Sequence, residues 1–250
     1  MAELILLRHG QSEWNALNLF TGWEDVALTE QGRTEATQAG LLLSDAGIDV
    51  RVLHTSLLVR AIDTAQLALE AAGRSWVPAK RDWRLNERHY GDLQGKNKLE
   101  TAEQYGADQV KIWRRSYATP PPALGDGDPR LPGLDPRYRD VPRGSLPSTE
   151  CLADVVARTI PYYESSVVPD LLEEAAKGGA VLVVAHGNSL RALRKVLDDI
   201  AEDEIVDLEI PTGIPFRYVL GDDLAVEERG YLGDPQAAAD AAAAVARQAG

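Results

Sequence analysis

The sequence predicts an α/β fold, in which a mostly parallel central sheet is flanked by helices. Two short and continuous apolar runs, residues 4–7 and 181–185, are typical of strands buried on both faces of such a sheet. Strand patterns also alternate with helical patterns at the spacing of β-α-β crossovers. A chain of 250 residues with 44% hydrophobic and 26% charged residues is long enough to bury a full core, so we expect one domain over residues 1–250.

The first half of the chain alternates regularly between strand and helix patterns. We predict, in order, a strand, a helix, a strand, a helix and a short strand, over residues 4–7, 29–46, 50–54, 57–72 and 76–79. Thr29 is a suitable N-cap for the first helix. Gly47 and Gly73 directly follow the two helices, where glycine readily adopts the left-handed conformation that ends a helix.

The second half returns to this pattern after a less regular middle. Its predicted strands cover residues 181–185, 216–220 and, at the sheet edge, 225–228. Its predicted helices cover residues 97–117, a stretch that follows residue 148, residues 189–197 and an alanine-rich C-terminal segment. We expect Ser148 to cap the second of these helices, and Pro161 and Pro169 to bend or interrupt it.

The middle of the chain predicts an insertion over the sheet. Residues 119–147 are rich in Pro, Gly and Asp and are too many for a plain connection in a compact domain. We therefore interpret residues 85–148 as a helical and Pro/Gly-rich lid over the sheet rim, not as a separate domain. We expect this lid and a C-terminal tail at residues 231–250 to be more mobile than the sheet.

Composition excludes several function classes. The formal net charge of −13 argues against nucleic acid or an anionic membrane as the main partner. The single cysteine excludes a disulfide framework and a multi-thiolate metal site, and the spacing of the four histidines fits no common metal-ligand motif, so we expect no metal. No apolar run approaches the roughly 20 residues of a membrane span, and the N-terminus has no signal-peptide pattern, so we expect a soluble cytoplasmic protein.

Two histidines follow the two clearest predicted strands. His9 and His186 come directly after the apolar runs, and the carboxyl ends of neighbouring parallel strands meet at one rim, where ligands bind in such sheets. A histidine at the end of a buried strand needs polar partners for its ring nitrogens. The alternative to a functional role is a hydrogen-bonded structural histidine, and the residues alone do not say which of the two is reactive.

Longer motifs point to a known family. The strings RHGQSEWN, FTGW, SLLVRAIDTA, LNERHYGDLQGKNK, WRRSY, AHGNSLRAL and PTGIPFRY occur in this order over nearly the whole chain. They resemble the histidine phosphatase superfamily, and RHGQSEWN followed by FTGW resembles its 2,3-bisphosphoglycerate-dependent phosphoglycerate mutases. The resemblance implies a glycolytic and gluconeogenic isomerase that interconverts 3-phosphoglycerate and 2-phosphoglycerate. It also implies priming by 2,3-bisphosphoglycerate without a metal, and a homo-oligomer, commonly a dimer or tetramer.

The resemblance also implies the catalytic residues. His9 would be phosphorylated and His186 would stabilise the transferring group, with Arg8 and Arg60 beside them. This agrees with the chemistry, because a neutral imidazole can attack phosphorus and guanidinium forks match phosphate oxygens. Glu87 would be the general acid–base, its pKa raised by a neighbouring phosphate dianion and partial desolvation. The alternative for Glu87 is a solvated carboxylate paired with a neighbouring arginine.

The remaining binding residues follow from the same resemblance. One group would contact the phosphate and the substrate carboxylate side: Ser12, Asn15, Thr21 and Gly22. A second group would grip the far end: Arg88, Tyr90, Lys98, Arg114 and Arg115. Gly187 and Asn188 open a predicted helix, whose backbone N–H groups favour an anion. The alternative for Arg114 and Arg115 is a pair of cations that complements a helix C-terminus.

Three other functions share parts of this pattern. A broad-specificity phosphatase of the same superfamily would share the catalytic residues but admit water to the phosphohistidine, and a bisphosphoglycerate synthase-type paralogue would share the fold. A non-catalytic phospho-ligand-binding relative would have lost catalytic residues that are present here. We expect His54 and Cys151 to be structural, and the acidic stretch over residues 198–209 to be a solvated helix face.

Overall fold

The computed structural model describes residues 1–247, which contain a six-stranded sheet. The strands, in chain order, are β1 Ala2–Arg8, β2 Val50–Thr55, β3 Ala79–Arg81, β4 Ala180–Ala185, β5 Phe216–Leu220 and β6 Val226–Tyr231. Their spatial order is β3-β2-β4-β1-β5-β6. The pairs β1–β4, β2–β4 and β2–β3 are parallel, and β5 and β6 add an antiparallel edge. The predicted α/β fold with a mostly parallel central sheet is confirmed.

Helices cover both faces of this sheet. The helices of the described residues are, in chain order, α1 Glu13–Ala16, α2 Glu30–Asp45, α3 Val59–Ala71, α4 Lys98–Tyr105, α5 Ala107–Arg115, α6 Leu152–Tyr162, α7 Val168–Ala175, α8 Gly187–Leu197 and α9 Pro235–Arg247. Of these, α2 and α3 pack on one face of the sheet and α6, α7 and α8 on the other. None of the helices found in residues 1–247 combines the length and apolar character that crossing a membrane requires.

The core has two halves because successive residues of a strand point to opposite faces of the sheet. Ile5 and Leu7 of β1 pack into one cluster with residues of α2 and α3. Leu4 and Leu6 pack into the other cluster, with residues of α6, α7 and α8. All six residues of β4 are buried, which explains the uninterrupted apolar run in its sequence.

Three predicted boundaries are wrong. The third strand lies at Ala79–Arg81, not at residues 76–79, because its three residues are defined by backbone pairing with β2 and their side chains are exposed. Ser148 does not cap a helix; α6 begins after Cys151, whose N–H donates to the Asp154 carboxylate at 2.9 Å. The helix predicted over 97–117 is two helices, since Gly106 between them has a φ of 88°, which a helix cannot contain.

The predicted interruption after Pro161 is confirmed. Pro161 lies inside α6, and a π-helical turn at Tyr163–Val167 separates α6 from α7. His54 on β2 is structural, as predicted: its Nδ1 lies 2.9 Å from the Tyr162 hydroxyl and its Nε2 lies 2.9 Å from the Asp170 carboxylate. These contacts attach the middle of the sheet to α6 and α7.

The Pro/Gly-rich stretch packs closely onto the rest of the chain. Within it are three short 3₁₀ turns, Pro132–Leu134, Pro136–Tyr138 and Arg143–Ser145. Tyr138 is buried, its ring centroid lies 4.9 Å from that of Trp23, and its hydroxyl accepts a hydrogen bond of 2.9 Å from Asn86 Nδ2. That residues 85–148 act as a lid stays a prediction. The end of the predicted tail, residues 248–250, lies outside the described residues.

The acidic stretch over residues 198–209 is not a solvated helix face, so that prediction is wrong. It contains one 3₁₀ turn, Ile205–Asp207, and no α-helix. The side chain of Asp198 is buried and pairs with Arg194 and Arg229, and Glu209 forms an ion pair with Arg115. Two of the carboxylates in this acidic stretch therefore neutralise specific arginines and are not simply solvated.

A close backbone contact next to β1 provides a test of the packing. A Cβ on Gly32 in α2 would lie 2.0 Å from the Gln11 carbonyl oxygen, and a Cβ on Gly10 would lie 2.2 Å from the Gly32 carbonyl oxygen. We expect Gly32→Ala to destabilise the fold by about 1–3 kcal/mol, measured by urea unfolding, because neither backbone can move without disturbing β1. Gly125→Ala, where nothing lies within 4 Å of the added methyl, is the control. Equal stability of the two variants would contradict this packing argument.

Candidate active site

Parallel pairing of β1 and β4 brings the two candidate histidines together. Arg8 at the end of β1 is in register with Ala185 at the end of β4, so the residues that follow, His9 and His186, lie side by side. Their ring centroids are 5.0 Å apart and both rings are buried. The predicted meeting of these histidines at one rim of the sheet is confirmed.

A cavity of about 100 Å³ opens beside His9. Of the predicted site residues, thirteen line it: Arg8, His9, Asn15, Thr21, Gly22, Arg60, Glu87, Tyr90, Lys98, Arg114, Arg115, Gly187 and Asn188. Six cations and two carboxylates are among the described residues that line the cavity, so this cavity is basic within a chain of net charge −13. Such a local excess of cations attracts small anions even when the whole protein is acidic.

Three predicted site residues lie behind the cavity wall. Ser12, Arg88 and His186 are each fully buried. The hydroxyl of Ser12 caps α1 and lies 2.9 Å from Asn15 Oδ1, so Ser12 supports a lining residue. Arg88 donates to the Arg114 carbonyl at 2.7 Å. His186 lies against His9.

The ring of His9 is fixed with one nitrogen available for reaction. Its Nδ1 lies 2.7 Å from the Gly10 carbonyl oxygen, which can only accept, so Nδ1 carries a proton. Arg60 Nε donates to His9 Nε2 at 3.4 Å, so Nε2 is unprotonated and, among the described residues, its lone pair is engaged only by this long hydrogen bond. Burial, with the charges of Arg60 and Arg8, lowers the pKa of His9 well below 6.5. The imidazole is therefore neutral at physiological pH.

The two arginines nearest His9 are held by backbone carbonyls. Arg60, on α3, donates from Nη2 to the Gly22 carbonyl at 2.8 Å and from Nη1 to the Glu24 carbonyl at 2.9 Å. Burial lowers its pKa to about 10, so it remains cationic. Arg8 donates from Nη1 to the Ile210 carbonyl at 2.7 Å, while its Nε has no hydrogen-bond partner within the described residues.

His186 is held by a hydroxyl that the sequence did not indicate. Ser56, which follows β2, places its Oγ 2.7 Å from His186 Nε2. His186 Nδ1 is buried and has no hydrogen-bond partner in the described part of the chain. Burial, together with the charges of Arg60, His9 and Arg8, lowers the pKa of His186 well below 6.5, so this ring is neutral too.

Glu87 lies opposite the histidines, and its carboxylate is firmly anchored. Its Oε1 accepts from Arg88 N–H at 2.8 Å and from Asn188 at 3.1 Å through N–H and 2.8 Å through Nδ2. Burial alone would raise the pKa of Glu87, but these hydrogen bonds and the charges of Arg8 and Arg60 outweigh it and lower the pKa below 4.5. The protein's own groups thus act against the predicted rise, which depends on the charge of a bound phosphate.

A second group of cations also lines the cavity. Lys98 begins α4, and burial together with the nearby charges of Arg114, Arg8 and Arg115 lowers its pKa to about 7. Burial likewise lowers the pKa of Arg114 to about 10. Arg115 forms an ion pair with Glu209, and both residues line the cavity.

Sequence reasoning missed Arg191, Glu209 and Ser56 in or beside the site. Arg191 lines the cavity and donates from Nη1 to Asn188 Oδ1 at 3.1 Å, which turns the Asn188 amide so that Nδ2 points at Glu87. A signal for Arg191 existed, because it lies three residues after Asn188 on one face of α8. Nothing local marked Glu209 or Ser56, since their partners are distant in the chain.

The side chains that line the site are mainly cationic and are not typical metal ligands. Within the part of the chain that the structure describes, no three or more His, Cys, Asp or Glu side chains are grouped so as to hold a metal ion. Apolar residues also line the cavity: Leu19, Phe20, Ile210 and, from α9, Val245.

Known proteins are similar to this chain in sequence. A family model described as histidine phosphatase superfamily (branch 1) matches residues 4–131. A protein of Clavibacter sepedonicus named 2,3-bisphosphoglycerate-dependent phosphoglycerate mutase is 56% identical over 246 residues, covering 98% of this chain and 96% of that protein. A Streptomyces avermitilis protein of the same name is 57% identical over 248 residues, covering 98% and 96%.

A solved structure extends the likeness to the fold. The structure titled mycobacterial hydrolase 1 has a TM-score of 0.68 at 24% identity, covering 92% of this chain and 96% of its own. The family model and the two relatives each match over half or more of the chain, and the solved structure shares its overall fold. The chain belongs to the histidine phosphatase superfamily, branch 1.

Proposed function

We propose that this chain is a 2,3-bisphosphoglycerate-dependent phosphoglycerate mutase, which interconverts 3-phosphoglycerate and 2-phosphoglycerate through a phosphohistidine on His9. The observation that carries the proposal is the neutral, buried His9 ring, with its unprotonated Nε2 facing Arg60 in a basic cavity. The identity of 56% and 57% to mutases over nearly the whole chain supports this substrate class.

In this proposal His9 Nε2 attacks the phosphorus of the substrate, and the bond from phosphorus to the substrate oxygen breaks. No base is needed, because Nε2 already holds a lone pair. Arg8 and Arg60, which line the cavity, would stabilise the equatorial oxygens, and His186, which lies beside His9, would contribute its Nδ1, unpartnered among the described residues, as a further donor. The pocket needs little reorganisation because backbone carbonyls and Ser56 already hold these side chains.

Glu87 would move the proton in each transfer. The oxygen that leaves phosphorus takes a proton from Glu87, and in the reverse step Glu87 removes the proton from the attacking hydroxyl. Since the pKa of Glu87 is lowered by its own hydrogen bonds, protonation depends on an incoming dianion that raises it. Proton transfer is thereby coupled to the presence of substrate.

The residues fit a ligand with two anionic ends. Buried donor atoms without a hydrogen-bond partner in the described chain include the Nε atoms of Arg8 and Arg191, two residues that line the cavity. Lys98, Arg114 and Arg115 would hold the far end. When bound, 2,3-bisphosphoglycerate would supply the phosphoryl group that primes His9.

Further parts of the proposal concern the setting of the reaction. We propose that residues 85–148 of a single domain serve as a lid that excludes water from the phosphohistidine, which a mutase needs and a phosphatase does not. We also propose that the protein acts in the cytoplasm, in glycolysis and gluconeogenesis. We expect it to form a homo-oligomer, either a dimer or a tetramer. The surplus of cations in the cavity favours a mutase that holds a bisphosphate.

The reaction itself can be followed by phosphorus NMR. With 3-phosphoglycerate and a trace of 2,3-bisphosphoglycerate, we expect the signal of 2-phosphoglycerate to appear, in EDTA as in its absence, and to be lost in His9→Ala. Inorganic phosphate as the main product would instead identify a phosphatase of the same superfamily, and loss of turnover in EDTA would contradict the metal-free proposal.

The role of Glu87 predicts a split between turnover and binding. Glu87→Gln keeps the size of the side chain but cannot donate and regain a proton, so we expect kcat to fall about 10²–10⁴-fold with little change in KM. Glu100→Gln on the exposed face of α4 is the matched control and should behave as wild type. Equal losses in kcat and in substrate affinity would contradict an acid–base role.

Lys98 predicts a pH dependence of substrate capture. Its pKa of about 7 means that the charge is present below pH 7 and is lost as pH rises through that value. Since the anion requires the charged form, kcat/KM for 3-phosphoglycerate should decline above about pH 7. In Lys98→Arg, whose guanidinium stays charged, this decline should be absent. An unchanged profile in the variant would rule out Lys98 as the titrating group.

A further inference from the structure

The segment that presents Glu87 has no helix or strand of its own. Residues 86–90 connect two short 3₁₀ turns, Trp83–Leu85 and Gly91–Leu93. Backbone pairing of a regular element therefore cannot fix the position of Glu87. Asn188 binds the carboxylate of Glu87, but this contact does not hold the backbone of residues 86–90.

Arg158, on α6, binds this segment from behind the cavity. Its Nη1 donates to the carbonyls of Arg84 at 2.7 Å and Asn86 at 3.0 Å, and its Nη2 donates to the Glu87 carbonyl at 2.9 Å. One planar guanidinium thus fixes three carbonyls within four consecutive residues. Arg158 is buried and is not among the residues that line the cavity.

Glu150 orients this guanidinium and holds the other side of the segment. Its Oε1 accepts from Arg158 Nε at 2.6 Å and its Oε2 accepts from Arg158 Nη2 at 2.9 Å. With these two bonds, all five N–H groups of Arg158 are used. Oε2 also accepts from His89 N–H at 2.8 Å, and Glu150 N–H donates to the His89 carbonyl at 2.9 Å.

The pair is suited to fixing geometry more than to adding stability. The exposed fractions of the two side chains are 7% for Arg158 and 4% for Glu150. Removing both charges from water is costly, and an apolar pair of similar volume often serves the fold as well. A pair that satisfies every donor while holding the backbone on both sides of Glu87 instead restricts where that residue can lie.

We propose that Arg158, oriented by Glu150, is a positioning residue that sets the place of the Glu87 carboxylate in proton transfer. The inference rests on the acid–base role proposed for Glu87. A general acid must lie within about 2.6–3.2 Å of the atom it protonates. A shift of the segment by about 1 Å would also break the Asn188 hydrogen bonds, which help to lower the pKa of Glu87, and misplacement of this size can reduce rates about 100-fold.

A double-mutant cycle in kcat separates positioning from a general structural role. Arg158→Gln and Arg158→Lys are each measured alone and combined with Glu87→Gln, well below the melting temperature of each protein. The Arg158→Lys variants keep the charge but have too few donors to span three carbonyls and a carboxylate, and they serve if Arg158→Gln fails to fold. Arg194→Gln is the matched control, since Arg194 also binds a carboxylate through Nε and Nη2 but contacts no residue of the segment.

If Arg158 acts through Glu87, its replacement lowers kcat about 10–100-fold in the Glu87 background and by a factor of about 3 or less in the Glu87→Gln background. Equal losses in both backgrounds, or a loss matched by Arg194→Gln, would overturn the proposal while leaving the role of Glu87 intact. If Glu87→Gln alone leaves kcat unchanged, the proposed function of Glu87 is wrong, and the positioning role is overturned with it.

Discussion

The chemistry proposed for this protein depends on one hydrogen bond, 2.7 Å long, between His9 Nδ1 and the Gly10 carbonyl. Because a carbonyl can only accept, the bond places the imidazole proton on Nδ1 and leaves the lone pair on Nε2. The fold supports the bond in two ways. Parallel pairing of β1 with β4 places His9 at the rim of the sheet, beside His186. The close contact between Gly10 and Gly32 fixes the backbone that follows His9.

Electrostatics complete what this hydrogen bond begins. Burial and the charges of Arg60 and Arg8 keep His9 neutral, so the nucleophile is ready at physiological pH. The same cations would have little effect on phosphate if water surrounded them, but Arg60 is buried and Arg8 is half-buried at a basic cavity in an acidic chain of net charge −13. Some acidic side chains neutralise individual arginines, as Glu209 does for Arg115, and others face solvent.

The sequence predicted those features that rest on local pattern. The apolar runs of β1 and β4, the caps of α2 and the histidines after the strands were readable because burial and chain direction decide them. The position of β3 could not be predicted, because only pairing with β2 defines it. The roles of Ser56 and Arg191 and the contacts of Arg158 with residues 86–90 could not be predicted either, since the partners are far away in the sequence. The pKa of Glu87 depends on competing burial and hydrogen bonds, which no motif encodes.

The most direct test of the central claim is to locate the phosphoryl group on the phosphorylated enzyme. After incubation with 2,3-bisphosphoglycerate, proton–phosphorus correlation NMR distinguishes phosphorus on Nε2 from phosphorus on Nδ1 of a histidine ring. We predict one phosphohistidine, carried on Nε2, that disappears in His9→Gln and is still formed, more slowly, in His186→Gln. Phosphorylation on Nδ1, or a label that survives in His9→Gln, would contradict the account.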